Sequence, residues 1–431
     1  MTRARISIQT FGCRANQYDS DMMRDLLTPA HDIADEDPDV IFLNACTVTG
    51  LAERKARQAA RRMRRQYPAA RIVVIGCLAD AVDQGMTQFL DADLLAGNSW
   101  KSQIDSVVQR ALSGACGTLA SASLGELSAE RSHGPQGRIR AFLKIQDGCG
   151  RACTYCRATQ VRGIPRSKSI ADATAEALDL LAAGFPEIVL TGIDLAQYSP
   201  SGGCLADALK AIASLSGLRR LRIASINPSG VTSELIETCA THGVVSPHFH
   251  IPLQSGDDGI LAAMDRGYDS QGYLHTIEHI CSRIPHATFG SDIIVGFPGE
   301  DEAAFSNTCR VVESVGFVNL HAFRFSPRRG TAAAEFADQI PADVKRQRSE
   351  WLLTHWEQGL ERTLDNRIGS SQDVLVEEHR EDCWRGYTHD YLYVKFPSDQ
   401  EIPVGSTLPI RITSRTGATL EGVDEHRISA S

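Results

Sequence analysis

The sequence predicts an α/β protein in three parts: an open parallel sheet covered by helices, a partial (β/α)6 barrel, and a small C-terminal β-barrel. Three observations predict it. Apolar strand-like runs alternate with helical runs from Arg5 to Ile75. Six further strand–helix alternations follow a stretch rich in Gly, Ala and Ser. From Ser371 onward the texture changes to short strands separated by turns. The segments expected are 1–112, a linker over 113–138, 139–368, and 369–431. At 431 residues the chain is long enough for several domains with a large core.

In the first part Arg5–Gln9, Val40–Leu43 and Ile72–Ile75 read as strands. A helix is expected from about Asn16 to Leu27, and a basic helix after the second strand. One cysteine follows each strand: Cys13, Cys46 and Cys77. In open parallel sheets the loops at the carboxyl ends of strands gather on one edge. Three cysteines far apart in sequence are therefore expected to meet there as metal ligands, rather than pack as separate small apolar side chains.

In the second part the strands read as Ala141–Ile145, Glu187–Thr191, Leu221–Ser225, His248–Leu253, Ser291–Val295 and Leu320–Phe325. A helix from about Ala342 to Ile368 closes it. Chemistry belongs at the carboxyl ends of such strands. There, after the first strand, stand Cys149, Cys153 and Cys156, spaced C-x3-C-x2-C. Three thiolates on one short loop can hold three irons of a four-iron cluster and leave the fourth open to a small molecule. A structural zinc site would show two separated C-x2-C pairs, which this loop lacks. Cys116, Cys204, Cys239, Cys281, Cys309 and Cys383 show no pattern and read as structural.

The formal net charge is −9, which taken alone argues against a nucleic-acid partner. Its distribution argues the other way. Between Glu53 and Arg65 lie seven bases and one acid: Arg54, Lys55, Arg57, Arg61, Arg62, Arg64 and Arg65. Such a run is either a solvated helix face or a phosphate-tracking surface. The N-terminal stretch has no apolar segment of signal-peptide length, and the best apolar run, Ile72–Ala79, is too short to span a bilayer. A cytoplasmic location, with reduced thiols, is expected.

Several stretches resemble the radical S-adenosylmethionine (SAM) methylthiotransferases. Thr10–Asp19, Phe42–Thr49 and Val74–Leu78 are similar to the family's three N-terminal cysteine segments, and Lys144–Cys156 to its central motif. Leu190–Ile193, His248–Gly256, Asp292–Glu300 and Arg324–Thr331 are also similar, and the C-terminal module resembles the TRAM domain, a small RNA-binding β-barrel. The resemblance implies two [4Fe-4S] clusters, one on Cys149, Cys153 and Cys156 that cleaves SAM to a radical, and one on Cys13, Cys46 and Cys77 that carries sulfur. It implies SAM contacts at Tyr155, Thr191, Gly192, Ser225, Gln254 and Val295. It implies a tRNA anticodon stem-loop as partner, gripped by Arg54, Lys55, Arg57, Arg61, Arg62 and Arg65. An electron donor such as flavodoxin or ferredoxin, a monomer and no membrane are also expected.

Cys46–Gln58, with Gly12–Tyr18, looks most like the subgroup that modifies threonylcarbamoyladenosine in tRNA. Subgroups acting on isopentenyladenosine or on a ribosomal-protein aspartate stay open, as does a divergent radical SAM enzyme acting on a peptide. Two stretches depart from the family pattern. Arg157-Ala-Thr159 stands where Ile-Ile-Pro is usual, and Ser225-Ile-Asn-Pro228 lacks the acidic residue usual before the proline.

Overall fold

A computed structural model describes residues 3–47, 49–121, 124–135 and 137–428. Val48 of the second cysteine motif, three residues of the expected linker (Ala122, Ser123 and Gln136) and both chain ends lie outside the described residues.

The first unit runs β1 (Arg5–Thr10), α1 (Arg14–Leu27), β2 (Asp32–Ile33), β3 (Val40–Asn44), α2 (Gly50–Gln66), β4 (Arg71–Ile75), α3 (Cys77–Asp83), β5 (Leu94–Ala96), α4 (Ile104–Leu112) and β6 (Gly117–Leu119). Its strands form one parallel sheet in the order β2-β1-β3-β4-β5-β6. Every residue of β3 is buried, because helices cover both faces of the sheet. The stretch expected as a linker contributes to this sheet: Gly117–Leu119 pairs in parallel with Leu94–Ala96.

The second unit runs β7 (Arg140–Lys144), β8 (Gln146–Asp147), α5 (Ala158–Arg162), β9 (Arg166–Ser167), α6 (Ile170–Ala182), β10 (Glu187–Thr191), α7 (Leu205–Ala213), β11 (Arg220–Ile223), α8 (Ser233–Thr241), β12 (His248–His250), α9 (Asp258–Ala263), α10 (Ser270–Arg283), β13 (Thr288–Val295), α11 (Glu302–Val315), β14 (Asn319–Arg324) and α12 (Ala342–Asp365). Two three-stranded parallel sheets, β11-β10-β7 and β12-β13-β14, are joined by single bridges at Leu221–Val245 and Ser225–His250. Together they make a curved six-stranded half-barrel. Among the described residues no pairing joins β7 to β14, so the barrel is open on that side. Strand alternation sets its two faces. Ala141, Leu143, Ile188, Leu190, Leu221, Phe249, Ile293 and Val295 pack into the core under the helices. Arg140, Phe142, Thr191, His248, His250 and Asp292 occupy the opposite, luminal positions.

The third unit is a closed barrel, β15-β16-β17-β19-β18, made of β15 (Ser371–Arg380), β16 (Cys383–Thr388), β17 (Tyr393–Phe396), β18 (Thr407–Thr416) and β19 (Thr419–Asp424), followed by α13 (Glu425–Ile428). It has five strands where the sequence suggested four. The extra one is β16, whose Gly386 would put a Cβ 2.0 Å from the Leu375 carbonyl oxygen. Only glycine allows that approach.

Candidate active site: two cysteine sets at one domain junction

The central cysteine loop is folded back tightly. The short strands β8 and β9 pair across it. Gly148 has φ 78, and a Cβ there would lie 2.0 Å from the Ile164 carbonyl oxygen. The Cys149 amide donates to the Gly163 carbonyl at 3.0 Å, and that of Cys156 to the Cys153 carbonyl at 3.0 Å. Thr154 ties the loop to the end of α9, its N–H donating to Met264 O and its hydroxyl to Ala263 O.

Each sulfur has a donor aimed at it. Gln197 Nε2 lies 3.3 Å from Cys149 Sγ, Arg266 Nη1 3.2 Å from Cys153 Sγ, and the Ala158 amide 3.3 Å from Cys156 Sγ. Burial pushes the Cys156 thiol up to about 11, and the neighbouring Cys153 and Cys149 charges add to the rise. Three crowded thiols cannot all ionise without a cationic partner. An iron–sulfur cluster is such a partner, and donors on the sulfurs are the usual surroundings of one. The donor set fits a three-cysteine [4Fe-4S] site with an open iron.

The residues expected to contact SAM lie around this loop in different ways. Tyr155 packs beside the buried Phe297 cluster, with its hydroxyl 3.2 Å from Arg266 Nη1. Thr191 ends β10, and Gly192, just beyond it, packs against Gln146 so closely that a Cβ would lie 2.8 Å from its Oε1. Ser225 bridges to His250, and Gln254 to Ile293. Gln254 has φ 67, an uncommon conformation for a side-chain-bearing residue, and such strain gathers at functional sites. Val295 departs from the expectation. Its side chain is fully buried in the core beneath the helices, because strand alternation turns it away from the lumen.

Cys13, Cys46 and Cys77 also converge. Gly12 has φ 113, and a Cβ there would lie 2.3 Å from Cys46 Cβ and 3.1 Å from Cys46 Sγ. Cys77 opens α3, and the Leu78 amide donates to Ala45 O at 3.0 Å. Cys77 Sγ accepts from Arg162 Nε at 3.1 Å and Asn98 Nδ2 at 3.5 Å. The charge of Arg162 interacts with both Cys77 and Cys13. Three thiols at one sheet edge, with a buried cation donating to one of them, fit a second three-cysteine cluster.

Arg162 belongs to the central barrel, so it joins the two units. Its remaining nitrogens reach Asp147 at 3.0 and 3.2 Å, Asp19 at 3.1 Å, and Asn16. Asp19, fully buried, also pairs with Lys101 at 2.5 Å and with Lys144. Burial opposes the charge of Asp19, but Lys101, Lys144 and Arg162 outweigh it and hold the carboxyl well below its ordinary range. Arg157, the departure from the family pattern, makes a second joint. It donates to Thr47 Oγ1 at 3.1 Å and lies 3.5 Å from Glu53, which Arg328 also binds at 2.6 Å. The Cys46–Thr47 segment is thereby held against the central barrel.

The basic helix α2 divides its charges. Ala52, Ala56, Ala59, Ala60 and Met63 face the sheet. Three cations are engaged at home: Arg57 with Gln88 O, Arg61 with Asp91, and Arg64 with Asp93. Arg54, Lys55, Arg62 and Arg65 have no ion pair among the described residues and are exposed. At 3.6 residues per turn these four fall on one stripe turned away from the sheet.

Gln197, Arg266 and Asn98 were not singled out from the sequence. Gln197 and Asn98 follow other strands and Arg266 follows α9, and no local spacing marks them. Among the described residues no helix is long and apolar enough to cross a membrane.

A parallel half-barrel with this cysteine loop at the end of its first strand defines a radical SAM enzyme, which carries a [4Fe-4S] cluster and binds SAM. Residues 143–312 match the Radical SAM superfamily, and residues 5–97 match Uncharacterized protein family UPF0004. The chain is 32% identical over 406 residues, spanning 93% of both chains, to a threonylcarbamoyladenosine tRNA methylthiotransferase, MtaB, of Chlamydia pneumoniae. It is 32% identical over 448 residues, spanning 98% of both, to a tRNA-2-methylthio-N(6)-dimethylallyladenosine synthase of Pelotomaculum thermopropionicum. In fold it is similar to the radical SAM methyltransferase TsrM of Kitasatospora setae, with a TM-score of 0.58 at 12% identity over 77% of this chain and 75% of that one. The chain belongs to the radical SAM methylthiotransferases.

Proposed function

We propose that this enzyme adds a methylthio group to C2 of N6-threonylcarbamoyladenosine beside the anticodon of tRNA. The observation that carries the RNA reading is the stripe on α2 of four cations that have no ion pair among the described residues. That helix starts at the joint where Glu53 meets Arg157 and Arg328, next to Cys46. A phosphate backbone tracking the stripe would bring its loop toward the cysteine sets. The threonylcarbamoyl reading rests on the Cys46–Gln58 segment and is supported by relatives of that name. The isopentenyl reading has a specific observation of its own, the equally similar dimethylallyladenosine synthases.

When bound, a cluster on Cys149, Cys153 and Cys156 with SAM supplies the radical that removes hydrogen from C2, and a second cluster on Cys13, Cys46 and Cys77 supplies the sulfur. Tyr155, Thr191, Gly192, Ser225 and Gln254 are assigned to the walls of the SAM pocket, with the backbone of Val295. The luminal face of the half-barrel receives the base, entering by the open side between β7 and β14.

The test is mass spectrometry of tRNA nucleosides from a strain lacking this chain. The 2-methylthio derivative of threonylcarbamoyladenosine should vanish and its unmethylthiolated precursor accumulate. Loss of the isopentenyl derivative instead would move the substrate to the other subgroup. Reversing Arg54, Arg62 and Arg65 to Glu should weaken tRNA binding and flatten its salt dependence by roughly one released counterion per lost contact. Unchanged tRNA affinity in that variant would make α2 a solvated face.

A further inference from the structure

One buried guanidinium donates to a sulfur of each cysteine set, Arg162 to Cys77 and Arg266 to Cys153. They differ in what else they touch. Arg162 meets carboxylates on its other nitrogens, those of Asp147 and Asp19. Arg266 meets none among the described residues. Its other partners are two neutral phenols, Tyr155 at 3.2 Å and Tyr268 at 3.1 Å, and its guanidinium lies over the Tyr268 ring.

Arg266 is 8% exposed, so solvent does little to screen it. A buried cation without a counter-anion is costly. Its reach is set by the backbone. Asp265 takes φ 56 after α9, and the Arg266 amide closes onto Leu261 O at 3.1 Å. The same turn holds Thr154 of the cysteine loop. The anionic group that this geometry offers to Arg266 is the thiolate cluster itself.

We propose that Arg266 is the counter-ion of the cluster on Cys149, Cys153 and Cys156, and that it raises this cluster's reduction potential relative to the cluster on Cys13, Cys46 and Cys77. The proposal rests on the two-cluster reading. Reduction adds one negative charge to a cluster. A nearby positive charge and an N–H donor on sulfur favour the reduced form. At Cys153 that charge is undiluted. At Cys77 the charge of Arg162 is shared with two carboxylates. An electron delivered by a low-potential one-electron carrier therefore settles at the end of the junction where SAM is cleaved.

The experiment is an anaerobic potentiometric titration of the reconstituted full chain with dithionite, read by EPR. A C13A/C46A/C77A background isolates the central cluster, and a C149A/C153A/C156A background isolates the other. At a fixed potential, R266Q should lower the reduced-to-oxidised ratio of the central cluster by on the order of tenfold or more. R266K should restore most of it, and the other cluster should not move. Tyr268→Glu, which gives Arg266 a carboxylate without removing it, should shift the central cluster in the same direction, and it decides the matter where R266Q loads too little iron. An unmoved potential in fully loaded R266Q overturns the proposal. So does an R266Q protein whose SAM affinity falls while its SAM-free potential stays put, since Arg266 would then serve the SAM carboxylate alone. If the C149A/C153A/C156A background binds no iron, the two-cluster reading fails, while the R266Q shift still decides the role of Arg266.

Discussion

At the scale of single residues the candidate site depends on positions where a Cβ has no room. Gly12, with φ 113 and Cys46 Cβ 2.3 Å from where its own would sit, lets two cysteine segments touch. Gly12→Ala should therefore displace Cys46 and cost the N-terminal set its metal. Anaerobic iron analysis should find about half the wild-type content if each set holds one four-iron cluster. Gly148→Ala, which would meet the Ile164 carbonyl at 2.0 Å, should spare the N-terminal set and damage the central one. Full iron in the Gly12→Ala protein would mean that the loop yields without cost. The cysteines were legible because their signals are local: C-x3-C-x2-C on one loop, and one cysteine after each of three strands. The groups that aim N–H donors at the sulfurs were not. Gln197 and Arg266 are 48 and 113 positions from the cysteines they serve, and only the folded chain brings them there. Arg157 was visible as a departure from the family pattern, but its partners Thr47 and Glu53 lie in another unit.

At the scale of elements, strand–helix alternation located all six strands of the half-barrel, because parallel strands buried on both faces, as β10 and most of β13 are, leave near-continuous apolar runs. It missed β2, β5 and β6 of the first sheet, none longer than three residues, the two-residue β8 and β9, and β16, whose alternation is broken by Gly386. The basic helix was legible as charge but not as architecture. Its alanine face comes from packing on the sheet, and the split between engaged cations and those without an ion pair depends on Asp91, Asp93 and Gln88 in the loop between α3 and β5. The start of α2 carries the second joint between the first two units. Glu53 accepts from Arg328 at 2.6 Å and sits 3.5 Å from Arg157, which is itself 3% exposed. Glu53→Ala leaves two largely buried guanidinium groups without their anion. The expected cost is about 3 kcal/mol in urea unfolding of the N-terminal unit. Glu53→Gln, which keeps an acceptor for both, should cost less. Equal midpoints for all three proteins would show that solvent already compensates Arg157 and Arg328.

At the scale of the whole molecule the three units are joined by buried polar contacts. The C-terminal barrel meets the floor of the half-barrel, at the end away from the cysteine loop. Arg222 donates to Thr388 O and His389 O at 3.2 Å, with its guanidinium 4.5 Å from the Tyr391 ring centroid. Thr288 Oγ1 donates to Asp390 O at 2.6 Å, and Arg220 to Tyr387 O at 3.0 Å. His389 sits in this joint with Nε2 3.1 Å from Val245 O. Burial holds its imidazole down to about 4, and the charges of Arg220 and Arg222 add to the effect, against the Val245 bond and Asp390. A histidine depressed on folding binds its proton more readily when released. The contribution of the joint is therefore whole above the ordinary histidine range, near 6.5, and drains away as pH falls from there toward 4. Hydrogen exchange, corrected for its intrinsic pH dependence, should show loss of protection at the Thr388 and Val245 amides across that window, while the parallel sheet of the first unit stays protected. His389→Gln, which keeps a donor for Val245 O but cannot take up a proton, should remove the dependence. Persistence of the same acid loosening in His389→Gln would assign it to another titrating group and leave the joint indifferent to His389.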